Sequence, residues 1–129
     1  MLRPFLITSF LLASLCIPTS AHHSFPASYE MEQTVVLDGI VEGWLWRNPH
    51  PFIFLNVKDE SGKDVTWHVE FANATAMALR GLTPESFEKG DRLLVSGNPG
   101  LEGRTALHYH GLGRPADDFE FGNTEEIER

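Results

Sequence analysis

Residues 34–71, TVVLDGIVEGWLWRNPHPFIFLNVKDESGKDVTWHVEF, limit the fold more than any other part of the chain. They open on a long strand pattern, about Val35 to Trp46, with apolar residues on both faces. Gly39 and Gly43 interrupt it, as bends or bulges do in a strand that serves two parts of a curled sheet. A second strand, about Phe52 to Lys58, puts Ile53, Leu55 and Val57 on one face. Asp59 to Lys63 has the polar chemistry of a hairpin connection. A third strand, Val65 to Phe71, alternates cleanly: Val65, Trp67, Val69 and Phe71 point one way, and Thr66, His68 and Glu70 the other.

ANATAMALRG reads next as a short helix, with Asn73 as its N-cap and Gly81 as its stop. Thr83 to Gly90 has room for one more helical turn. Asp91 to Gly97 and Arg104 to Leu112 read as a fourth and a fifth strand. Three strands, a helix and two strands is the order of an OB-fold, a five-stranded, partly open barrel. The expected fold class is therefore mainly β and OB-like, with one short helix between strands three and four. An open α+β sheet or another small barrel is the alternative.

Upstream, MLRPFLITSFLLASLCIPTSA has a basic start, an apolar run from Phe5 to Ile17 and small residues before Ala21, the order of a secretory leader. The run is too short to cross a bilayer, which takes about 20 apolar residues. The expected division is 1–21 leader, 22–34 arm, 35–114 barrel and 115–129 a loosely held acidic tail. Leu15 stands where a lipoprotein has a small residue before its cysteine, so Cys16 leaves with the leader. Without a thiol, a metal site in the mature chain would draw on imidazole, carboxylate, backbone or terminal amine. The chain has 10 Lys and Arg against 18 Asp and Glu, and removing Arg3 brings the formal charge from -8 to -9. That sign argues against nucleic acid, whose affinity comes largely from cationic side chains. The expected location is the periplasm of a Gram-negative bacterium, or the medium.

The HHSF start, the W-x-NPH run from Trp46 to His50, the D-x-x-G turn from Asp59 to Gly62 and the GD-x-L-x-V from Gly90 to Val95 resemble a family of short exported bacterial proteins of unknown function. The likeness takes in Trp67, Glu70 and Leu79. It implies an exported bacterial origin and no particular activity. Pro51 after His50 and the HYH of the fifth strand look peculiar to this member.

All six histidines lie beyond the leader. Cleavage after Ala21 would give His22 a free α-amine, which can chelate one ion together with its ring Nδ1, and His23 could add a third nitrogen. That arrangement suits Cu(II) first and zinc next. His50, between Pro49 and Pro51, is held stiffly, so it would lose little entropy as a ligand. His108 and His110 share one face of a strand and can straddle an ion. The expected metal ligands are thus His22, His23, His50, His108 and His110, with copper or zinc as the cofactor. His68 and Glu70 could join His108 or His110 if strands three and five are neighbours.

The competing expectation is a non-metal module for a glycan, peptide or envelope protein, with Trp44, Trp46, Phe52, Phe54 and Tyr109 as an aromatic platform. Core packing explains most of those rings more cheaply. No spacing of carboxylates, Ser-His-Asp set, phosphate loop or HExxH is present to assign catalytic roles, so the sequence points away from an enzyme.

Overall fold

The computed structural model describes residues 25–127. Its elements in chain order are a 3-10 turn (Phe25–Ala27), β1 (Val35–Leu45), β2 (Phe52–Lys58), β3 (Asp64–Glu70), α1 (Ala74–Leu79), β4 (Arg92–Pro99), a second 3-10 turn (Leu101–Gly103), β5 (Ala106–Arg114) and β6 (Phe119–Gly122).

β1 pairs along residues 35–40 with β4 and along 39–45 with β2, so its two ends belong to different parts of the wall. The register shifts between Val41 and Gly43, a bulge of the kind the glycines suggested. Gly39 is needed for another reason: a Cβ there would sit 2.5 Å from the Asn56 carbonyl oxygen. β2 and β3 form the expected hairpin. β3 then lies parallel to β5, with His68 opposite Ala106, Val69 opposite Leu107 and Glu70 opposite His108. With β5 antiparallel to β4, the ring β1-β2-β3-β5-β4 closes. This is the OB order. Its interior holds Val41, Ile53, Leu55, Val69, Phe71 and Leu107, all fully buried.

α1 lies between β3 and β4. The Asn73 side chain accepts from the amides of Thr75 and Ala76, at 2.9 and 3.2 Å. At the other end Gly81 takes a positive φ of 103°. The Gly81 amide donates to Ala78 and the Leu82 amide to Met77, while Leu82 and Met77 both reach the core. This is a Schellman ending with its apolar contact.

Three expectations are corrected. Thr83 to Gly90 forms turns, not a helical turn. There Ser86 Oγ accepts from the Thr83 amide and Thr83 Oγ1 from the Glu85 amide, local bonds that compete with a helix. β4 and β5 each end two residues later than their patterns suggested. Residues 119–122 of the acidic tail pair with β5 as β6, outside the barrel, because Phe121 has an apolar place over Tyr109. Among the described residues no helix is long and apolar enough to cross a membrane.

Candidate functional site

The arm before β1 lies against the barrel where β3 meets β5. Tyr29 bridges to Gly100, the Glu30 amide donates to Pro99 and the Leu101 amide donates to Ser28. Arg104 Nη2 donates to the same Ser28 carbonyl at 2.9 Å. Further on, Asn98 Nδ2 donates to Gln33 O at 2.7 Å and to Met31 O at 3.4 Å. Tyr29 is buried by these contacts. Phe25 is the first described residue. Its ring stacks on His108 with centroids 3.9 Å apart and on His50 at 5.5 Å.

His50 comes from the β1–β2 loop and Glu70 from the outward face of β3. His50 Nδ1 lies 2.5 Å from Glu70 Oε1, and the pair is about one-fifth exposed. The other oxygen, Oε2, accepts from the Tyr29 hydroxyl. Burial, then the hydrogen bond and charge of Glu70, raise Tyr29 well above the ordinary phenol value, so it stays a donor. A carboxylate only accepts, so the His50 Nδ1 that faces Oε1 is the donor of this contact.

His108 and His110 stand beside this group, with ring centroids 6.2 Å apart. His108 is half-buried, and its Nδ1 has no hydrogen-bond partner among the described residues. Burial, then the neighbouring His110, holds its ring below the ordinary imidazole value, while Glu70 pulls the other way. His110 is fully engaged instead. Its Nε2 lies 2.7 Å from Asn98 Oδ1 and its Nδ1 3.2 Å from Glu126 Oε2.

The structure thus brings His50, His108 and His110 to one end of the barrel. It leaves His68 exposed, edge-on to Phe54 at 5.0 Å. His22 and His23 lie outside the described residues. Among the described residues, no three His, Cys, Asp or Glu side chains are placed to hold a metal ion by themselves. The five aromatics of the expected platform are divided: Trp44, Trp46 and Tyr109 pack on the core, while Phe52 sits under Arg47 and Phe54 beside His68. Sequence reasoning missed Phe25, Tyr29, Asn98 and Glu126. Only the aromatic content of the arm hinted at the first two.

The fold and this surface define a closed five-stranded OB-like barrel whose histidine-bearing end is overlaid by its own N-terminal arm. More particularly, the chain belongs to a family of unknown function, DUF6152, whose profile matches residues 10–109. No curated protein is similar to it.

Proposed function

We propose that the protein is exported and binds a transition metal ion, copper first and zinc next, at its processed N-terminus. The observation that carries this reading is the stacking of Phe25 on both His50 and His108. Three residues of chain span at most about 11 Å, so a terminus at His22 would have these imidazoles within its reach. The donors are the α-amine and Nδ1 of His22, Nε2 of His50 and Nδ1 of His108, which has no partner among the described residues, with His23 in reserve. An unpaired buried nitrogen is a cost that a bound cation removes. His110, with both nitrogens engaged, stands behind these donors rather than among them. An all-nitrogen set that includes a deprotonated amine suits copper above the other divalent ions. The ion would supply Lewis acidity or a redox couple; the chain supplies its placement.

The test compares two forms of the purified protein, one beginning at His22 and one with a methionine ahead of it. Competition titration with Cu(II) should show tight binding by the first and much weaker binding by the second. Equal binding by both rejects the chelate. Intact-mass measurement of exported protein checks cleavage after Ala21. The competing reading is a glycan, peptide or envelope-protein module on the loops and aromatics of the barrel; there Trp46 or Phe52 substitutions, and not those of His22 or His50, would abolish binding.

A further inference from the structure

Glu70 stands at the centre of a three-residue chain that starts in the arm, crosses β3 and ends in the β1–β2 loop. Each carboxylate oxygen takes one donor: Tyr29 Oη on Oε2 and His50 Nδ1 on Oε1. The carboxylate cannot swing without losing one of them, and Tyr29 is itself fixed by burial and by its bridge to Gly100. Free histidine in water keeps its neutral-form proton mainly on Nε2. A carboxylate facing Nδ1 reverses that preference, since the hydrogen bond made by one ring nitrogen decides the state of the other.

We infer that Glu70, oriented by Tyr29, is a positioning residue that holds His50 as the Nδ1–H tautomer and so presents its Nε2 as the donor atom of the site. Nε2 is then offered to an electrophile of one class, a borderline transition-metal cation, as in the carboxylate–histidine–metal arrangement. Glutamine could not replace Glu70. Its amide has a single acceptor oxygen, so one of the two donors would face an NH2 group. The choice of a metal as the electrophile rests on the proposed function; the tautomer does not.

The test separates the two. Nitrogen-15 ring spectra of the metal-free full chain beginning at His22, at a pH where imidazole is neutral, should show His50 Nδ1 protonated and Nε2 unprotonated. Glu70→Gln, checked for wild-type circular dichroism, should move His50 toward the Nε2–H form, a change that a purely structural role would not produce; Tyr29→Phe, which keeps the carboxylate but frees it to turn, should move it less. Zinc added to the wild type should shift the His50 Nε2 resonance, with affinity falling roughly 10- to 100-fold in Glu70→Gln. A wild-type ring protonated on Nε2, or a tautomer unchanged in both variants, overturns the inference whether or not zinc binds. The expected tautomer with no zinc or copper binding upholds Glu70 as the positioning residue and rejects the metal reading alone.

Discussion

Asn98 is buried to 2 % exposure and carries three contacts with one amide: two carbonyls of the arm and the ring of His110. Its orientation follows from them, because Nδ2 is committed to Met31 and Gln33 and Oδ1 must face the imidazole. Asn98→Ala strands these partners, so chemical denaturation should show a loss of about 2–3 kcal/mol. A variant within about 0.5 kcal/mol of wild type would mean that the arm is held without it. The two tyrosines make a pH prediction. Burial raises both, Tyr109 to about 12 and Tyr29 further, chiefly by desolvation. Unfolded tyrosine ionises near 10, so the unfolded chain releases these protons first. Their contribution is complete below pH 10 and is lost as pH rises toward 12. Absorbance at 295 nm should show no tyrosinate step near pH 10 while the far-ultraviolet spectrum stays native. An ordinary step there would place a phenol in water.

At the scale of elements, α1 and the β2–β3 hairpin were readable because their signals are local. Asn73, Gly81 and the alternation of Val65, Trp67, Val69 and Phe71 act within a few residues of themselves. Asn73→Ala removes an acceptor from two amides and should cost about 1 kcal/mol. For a domain of this size, that corresponds to a melting temperature about 4–8 °C lower. An unchanged melting temperature would show that core packing of Met77 and Leu82 alone holds the helix. The ends of β4 and β5 were less readable. Their ladder has its own register shift between Ser96 and Gly97, and a strand continues wherever a neighbour supplies bonds. The neighbour extending β5 to Arg114 is β6, from a segment whose acidic composition disguised it. The arm is a third case. Nothing in SFPASYE specifies docking until Pro99, Gly100 and Glu70 are brought to meet it.

For the molecule as a whole, closure rests on three parallel pairs between β3 and β5, and β6 adds cover outside. Phe121 lies under Arg80 at 4.6 Å and beside Tyr109 at 5.8 Å, 9 % exposed. Phe121→Ala should therefore destabilise the fold by about 3 kcal/mol, measured by denaturant unfolding. A neutral result would make the tail dispensable. The strand order and the OB-like expectation were legible in the sequence, because side-chain alternation, glycine placement and capping are properties of neighbours along the chain; the β3–β5 pairing chose the barrel over an open sheet. The sequence also marked His50, His108 and His110 by residue type. Which ring nitrogen is free, which histidine is saturated and which tyrosine stands behind the acid were decided only by tertiary structure. Those states depend on hydrogen-bond partners 12 to 41 residues away, and distant partners leave no local trace.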